Sequence, residues 1–346
     1  MKRVSIGIDI GGTNTAIGVV DSEGHVLYER KPQMPTPQKM ENPGMTQSVS
    51  DAIVSKYVSD LTVEIKDAIE MVKKINPHIE VMGIGIGAPN ANYYSGTIEY
   101  APNLPFVGVI NFASLIQNNF SELKFVKLTN DANAAALGEM IYGGAKGMKN
   151  FAMMTLGTGL GSGLIVNGDL VYGSDGFAGE CGHVTVIPDG RLCGCGGRGH
   201  FEAYCSATGI KRTVYELLAK YNDAESPLSK IPMSEMSSKI VFDAAEKGDR
   251  IAKEVFQVTG EILCRTLADT VHYLSPEAIF LFGGAAAAGD YIFKPAKESM
   301  ERYLMPVFRN KVKILPSELK ESSVAILGAS ALIWKEIEKN TSKSNL

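Results

Sequence analysis

The sequence predicts an α/β protein built from two related halves. Its 346 residues suggest two domains. Each half opens as strand, glycine turn, strand: Val4–Ile10 and Thr13–Asp21 around Gly11-Gly12, then Phe151–Leu156 and Leu164–Val166 around the Gly157–Gly163 segment. The turns match in chemistry, Asp9-Ile10-Gly11-Gly12-Thr13 in one half and Leu156-Gly157-Thr158-Gly159 in the other. A duplication of this kind implies α/β domains flanking a cleft.

The elements follow in order. Val4–Ile10 is β-branched and nearly continuous in apolar character, the pattern of a buried strand. Ser22-Glu23-Gly24 turns the second strand into a third, His25–Lys31, which makes an antiparallel meander. Pro32 to Gly44, rich in Pro, Met and Gln, reads as a loop. Ser50–Ile75 places Ile53, Tyr57, Leu61, Ile65, Ile69 and Val72 on one helical face. Val81–Gly87 is a short strand, Phe112–Phe120 a short helix, Phe125–Asn130 a strand and Asp131–Tyr142 an alanine-rich helix. In the second half, Leu170–Tyr172 is a further strand candidate and Tyr221–Lys239 a polar surface excursion. A long helix from Ile251 to Leu274 leads to a strand at Ala278–Phe282 and a turn at Gly283-Gly284. Strand Val312–Leu315 and helix Ala325–Ile337 close the chain, the helix returning to the first domain. The expected division is 1–130 with 325–346 against 131–324.

Composition removes several classes. Net charge is −4, from 34 basic and 38 acidic residues, so no basic excess points to nucleic acid. No apolar run reaches the roughly 18 residues of a membrane span. Met1-Lys2-Arg3 runs straight into a strand carrying Asp9, unlike a secretory leader. Five cysteines, three of them between Cys181 and Cys195, look like metal ligands or reduced thiols rather than a disulfide framework. A cytoplasmic protein is expected.

The strongest local signal runs from Glu180 to Glu202. His183, Cys193, Cys195 and His200 fall within 18 positions, and thiolate and imidazole are the ligands zinc prefers. Four protein ligands close the coordination sphere, so such a zinc is structural. Reduced structural thiols are the alternative, and Cys181 and Cys205 compete as ligands. The two glycine turns offer backbone N–H groups and a Thr hydroxyl suited to phosphate oxygens, although ordinary hairpins use the same residues. Asp9 stands where a carboxylate holds a magnesium ion or its water. Asn130-Asp131 lies where a strand gives way to a helix, the place where open α/β sheets bind ligands. There Asp131 either caps the helix or accepts a proton from an attacking hydroxyl.

Together these motifs resemble the ROK family of bacterial sugar kinases and sugar-responsive repressors. The resemblance spans nearly the whole chain: Asp9–Thr13, Asn130-Asp131-Ala132-Asn133, Leu156–Gly161, Glu180–His183, Cys193–Glu202 and Gly283-Gly284. It implies an actin-like ATPase (ribonuclease H-like) fold and ATP-dependent phosphorylation of a hexose, most often glucose. It implies Asp131 as the base, and Asn103, Asn130, Glu180, His183 and Glu202 as sugar ligands. Asp9, Gly11, Gly12, Thr13, Thr158, Gly159, Gly283 and Gly284 then form the nucleotide site with magnesium, and the protein is a dimer or tetramer. One departure is His200, which stands where the family has a third zinc cysteine.

Three other functions compete. Only eight residues precede Asp9, which leaves no room for the helix-turn-helix of the family's repressors. A kinase for N-acetylmannosamine, N-acetylglucosamine, fructose or allose shares the same core, with Tyr93 and Tyr94 as candidate walls of an acetamido niche. A non-catalytic actin-like scaffold has no need of the zinc loop.

Overall fold

A computed structural model describes residues 1–38, 46–222, 225–320 and 323–344. The chain divides into two compact units, Met1–Gly147 with Tyr172–Ala178 and Glu318–Leu346, and Met148–Val171 with Gly179–Ser317.

In the first unit β1 (Lys2–Ile10), β2 (Asn14–Asp21) and β3 (Val26–Glu29) form the antiparallel meander, and β4 (Met34–Pro35) adds to β2. β4 lies inside the expected loop, whose residues 39–44 fall outside the described ones. Helix α1 (Gln47–Ile75) starts three residues earlier than its apolar spacing suggests, because Thr46 caps it by accepting from the Val49 amide at 3.4 Å. It buries Val54, Tyr57, Leu61, Ile65 and Val72. Each such side chain contributes about 1.5–3 kcal/mol. Next come β5 (Ile79–Gly87), a small sheet of β6 (Ala91–Asn92), β7 (Thr97–Glu99) and β8 (Val109–Ile110), helix α2 (Phe112–Gln117), β9 (Val126–Thr129) and α3 (Asp131–Tyr142). The small sheet is new relative to the sequence reading, since strands of two or three residues show no alternation to detect.

The second unit begins with β10 (Phe151–Leu156), β11 (Leu160–Val166) and β12 (Asp169–Leu170). β11 starts at Leu160, not Leu164. Gly161 and Gly163, which read as turn residues, are paired with Thr155 and Met153 in the β10–β11 ladder. Helices α4 (Glu202–Cys205), α5 (Ala207–Tyr221), α6 (Ser238–Glu246) and α7 (Arg250–Leu274) follow, then β13 (Ala278–Phe282), α8 (Asp290–Tyr303) and β14 (Lys313–Pro316). The stretch expected as a surface excursion sends Leu228 and Met236 into the core.

The two sheets share one topology, β3-β2-β1-β5-β9 and β12-β11-β10-β13-β14. In each, an antiparallel hairpin precedes two parallel strands added beyond the first. This repetition is invisible as residue identity.

The last helix, α9 (Val324–Ser344), packs on β1, β2, β5 and α3 of the first unit. Glycines make this possible. A Cβ on Gly7 would lie 2.1 Å from the Ile326 carbonyl oxygen, and one on Gly85 1.9 Å from that of Ala329. Three segments depart from the expected division, one being the re-entry into the first unit, which comes at Glu318 rather than at 325. α3 belongs to the first unit, because it packs against α9 rather than against the second sheet. Tyr172–Ala178 also sits there, with the Tyr172 ring stacked on Tyr93 at 4.1 Å and the Asn92 amide donating to the Asp175 carbonyl at 2.8 Å. Tyr93 and Tyr94 are thus engaged with Tyr172. Among the described residues no helix is long and apolar enough to cross a membrane.

Candidate functional site

In the first unit the candidate residues gather at the C-terminal ends of the parallel strands, where open α/β sheets present their ligand sites. β1 ends at Asp9-Ile10, and the chain turns through Gly11-Gly12-Thr13. The Gly11 amide donates to the Asn14 carbonyl at 3.0 Å. Gly12 faces Asn103, whose Cβ lies 3.4 Å from where a Gly12 Cβ would stand. The turn is braced by residues just past β4: the Thr36 backbone amide donates to the Thr13 carbonyl at 3.0 Å, and the Gln38 side-chain Nε2 to the Gly12 carbonyl at 3.1 Å. Sequence reasoning missed Gln38, because a lone Gln in a loop carries no signal. Behind the turn, Thr15 shares hydroxyl contacts with Thr36 at 2.8 Å and Tyr57 at 2.5 Å.

Asp9 and Asp131 converge on Gly87, the last residue of β5. A Cβ there would lie 3.2 Å from Asp9 Oδ1 and 3.7 Å from Asp131 Cα. Burial, and secondarily the Asp131 charge, push the Asp9 carboxyl up to about 7. The cap of α3 is Asn130, whose Oδ1 accepts from the Ala132 amide at 2.9 Å. Asp131 is the first helical residue, and its Oδ1 shares the same amide at 2.8 Å. The Asp131 side chain keeps solvent access, and yet the protein crowded around the recess raises its pKa, with the Ala132 amide opposing.

In the second unit the turn 157–159 is tied to the start of α5. The Gly157 carbonyl accepts from the Ala207 amide at 2.8 Å, and the Thr158 carbonyl from the Thr208 hydroxyl at 3.1 Å. A Cβ on Gly159 would stand 2.7 Å from Glu202 Oε2, the same oxygen that accepts from the Leu160 amide at 3.0 Å. Gly283 adopts φ +100°, and a Cβ there would meet the Leu156 carbonyl oxygen at 2.6 Å. Gly284 beside it faces open space. Because β10 and β13 are parallel neighbours, both turns lie at one edge of the sheet.

The four expected metal ligands come together. The ligand atoms of His183, Cys193, Cys195 and His200 all lie within 4.8 Å of one another. His183 Nδ1 is 3.9 Å from Cys193 Sγ, and His200 Nδ1 is 3.2 Å from Cys195 Sγ. Ligands of one tetrahedral zinc, at bond lengths near 2.0–2.3 Å, are spaced in this way. Gly197 makes room for the substituted imidazole, since a Cβ there would lie 2.2 Å from His200 Cε1. The competing thiols stand apart from this group: Cys205 is buried and donates to the Thr259 carbonyl at 3.5 Å, and Cys181 is not among the four. His183 Nε2 lies 4.0 Å from Glu180 Oε2. Glu202 joins the loop to the turn, with Oε1 accepting from Cys193 Sγ at 3.3 Å and Oε2 from the Leu160 amide.

The ROK family model matches residues 5–336, so the chain belongs to the ROK family. The glucokinase of Thermotoga maritima is 32% identical over 97% of this chain and 99% of its own length. The glucokinase of Halalkalibacterium halodurans is 33% identical over 99% and 98%. Among solved structures, a ROK family glucokinase from Streptomyces griseus in complex with glucose and AMPPNP superposes with a TM-score of 0.73 at 30% identity, covering 95% of this chain and 98% of that one. The fold is therefore the actin-like ATPase fold of ROK sugar kinases.

Proposed function

We propose that this member of the ROK family transfers the terminal phosphate of ATP to a hexose, converting glucose to glucose 6-phosphate. One observation carries the site assignment. Asn130 takes the helix cap, so the Asp131 carboxylate stands at the head of α3 beside Asp9 with its second oxygen uncommitted among the described residues. Full-length relatives that act as glucokinases support the choice of sugar.

In this reading Asp131 takes the proton of the sugar hydroxyl, whose oxygen then bonds to the terminal phosphorus as ADP leaves. Its raised pKa makes it a better proton acceptor than an ordinary carboxylate. Asn103, Asn130, Glu180, His183 and Glu202 orient the sugar. Amides of Gly11–Thr13 and Thr158-Gly159 receive the phosphates, and Gly283-Gly284 leave space for the adenosine. Such enzymes work by alignment and charge stabilisation rather than by covalent chemistry. A magnesium ion near Asp9 supplies neutralisation of the phosphate charge. Zinc on His183, Cys193, Cys195 and His200 supplies a crosslink that fixes the loop presenting Glu180, His183 and Glu202. Free cysteines and an ATP substrate fit the cytoplasm. The dimer or tetramer belongs to the same reading, and light scattering decides it.

The test is ADP release measured across hexoses and acetamido hexoses. Glucose is expected to give the highest kcat/KM. A preference for an acetamido sugar overturns the substrate, and sugar-independent ATP hydrolysis overturns the kinase.

A further inference from the structure

We propose that Glu139 is a positioning residue for this reaction: a pin that fixes the helix bearing Asp131 to the first and the last places where the chain passes between its two units. The inference rests on the reading of Asp131 as the base. Glu139 is fully buried, in the last turns of α3. A carboxylate there faces the negative pole of its own helix, an unfavourable place unless donors compensate. Two donors do, and both reach the same oxygen. Oε1 accepts from the Gly144 amide at 2.7 Å and from the Glu318 amide at 3.1 Å.

Those two amides are far apart in sequence and have one thing in common. Gly144 lies three residues before Gly147, where the first run of unit one ends, and Glu318 is the residue at which the chain re-enters that unit. The backbone around them is shaped for the contact. A Cβ on Gly143 would lie 2.5 Å from Glu139 Oε1, so glycine alone lets the carboxylate fold back over the helix end. A Cβ on Gly144 would lie 3.0 Å from the Glu318 carboxyl carbon. The Glu139 carbonyl also accepts from the Gly143 and Ala145 amides, at 3.1 and 3.2 Å. One residue earlier, Gly138 lets α9 come close, a Cβ there lying 3.0 Å from Gly328 Cα.

Asn130, a proposed sugar ligand, and Asp131 stand at the other end of the same helix, so their placement depends on how firmly the end of α3 bearing Glu139 is held. Losing the pin reduces the fraction of molecules competent to bind sugar, which raises the apparent KM while the saturated enzyme turns over with unchanged groups.

Two variants test this. Glu139→Gln keeps an oxygen acceptor and removes the charge. Glu139→Met keeps the volume and removes the acceptor. In Glu139→Met the Gly144 and Glu318 amides are expected to exchange with deuterium roughly 10-fold faster, with the body of α3 still protected. The glucose KM is expected to rise about 10-fold with kcat within about threefold. Glu139→Gln is expected to stay within about twofold of the parent in every measure. An unchanged KM in Glu139→Met, or equal damage in both variants, overturns the pin. If Glu139→Met does not fold, the parent and Glu139→Gln still decide it, because fast exchange of either amide in the parent, or a raised KM in Glu139→Gln, also overturns it. A parent that fails to phosphorylate glucose sinks the functional reading instead, while amide exchange at Gly144 and Glu318 still judges the pin.

Discussion

Asp131 and Asp9 are two carboxylates a few ångströms from one glycine, and their surroundings differ. Asp131 heads a helix, and its amide contact partly offsets the desolvation by surrounding protein that raises its pKa. Replacing it with Asn keeps the shape and removes the proton acceptor. Asp131→Asn is expected to lower kcat by roughly 10²-fold or more, with glucose affinity measured by calorimetry nearly unchanged. A variant turning over at parental rates would take the base role from Asp131. Asp9 makes a prediction about stability. In the folded, nucleotide-free chain it holds its proton up to about pH 7, whereas the unfolded chain releases it near 3.8. Between those values the folded state binds the extra proton, so stability from this group is present at low pH and is lost as pH rises through 7. The loss is on the order of a few kcal/mol at most. Asp9→Asn lacks this dependence, so its melting temperature relative to the parent should climb from pH 5 to pH 8. A constant difference across that range would show that Asp9 ionises normally. Both residues were legible in the sequence from their places beside a glycine turn and a strand-to-helix junction. Their convergence on Gly87 was not, since parallel strands bring together residues with no sequence spacing to betray them.

At the scale of elements, the loop from Glu180 to Glu202 was the most legible part of the chain and the small sheet of β6 to β8 the least. Ligand types at short spacing announce a metal site, whereas two-residue strands announce nothing. Glycine misled in one place: in β11 it lies inside a ladder, and only the neighbouring β10 reveals that. Glu202, expected to bind sugar, ties the loop to the turn before Leu160, a contact that no sequence spacing announces. The loop is also tied by the Val186 amide donating to the Gly199 carbonyl at 2.9 Å, the Cys193 amide to the Gly197 carbonyl at 2.8 Å and the Arg191 guanidinium to the Ala203 carbonyl at 3.0 Å, while Cys195 is exposed and Leu192 stands half open. A crosslink through four side chains would add to these ties. Purified protein is expected to carry about one zinc per chain by elemental analysis. Chelation should open residues 184–200 to proteases and weaken glucose affinity by about 10-fold or more, the scale at which supports of a metal site act. Metal-free protein with full sugar affinity would separate the loop from sugar binding.

Across the whole molecule, two cores form from a chain that crosses between its units, and the last helix packs on the sheet of the first unit beside α3 rather than on the second unit. Its apolar pattern announced a helix, and its return to the first domain was expected along with it. The reason it fits lies in Gly7, Gly85 and Gly138, which sit up to roughly 300 residues away and lack the Cβ that would hold α9 off the sheet. α9 buries Val324, Ile326, Leu327, Leu332 and Ile333. At about 1.5–3 kcal/mol each, these five side chains contribute on the order of 10 kcal/mol, comparable with the whole net stability of a domain. A chain ended at Ser317 would leave that face of β1 and β5 open to water and would also lack the Glu318 amide. It is expected to lose the cooperative unfolding of the first unit in calorimetry and to bind a hydrophobic dye strongly at low temperature, while α7 and α8 of the second unit stay protected from deuterium exchange. Should the shortened chain melt with the same cooperativity as the parent, the first core would have to be complete without α9, and the glycine contacts beneath it would be packing without consequence.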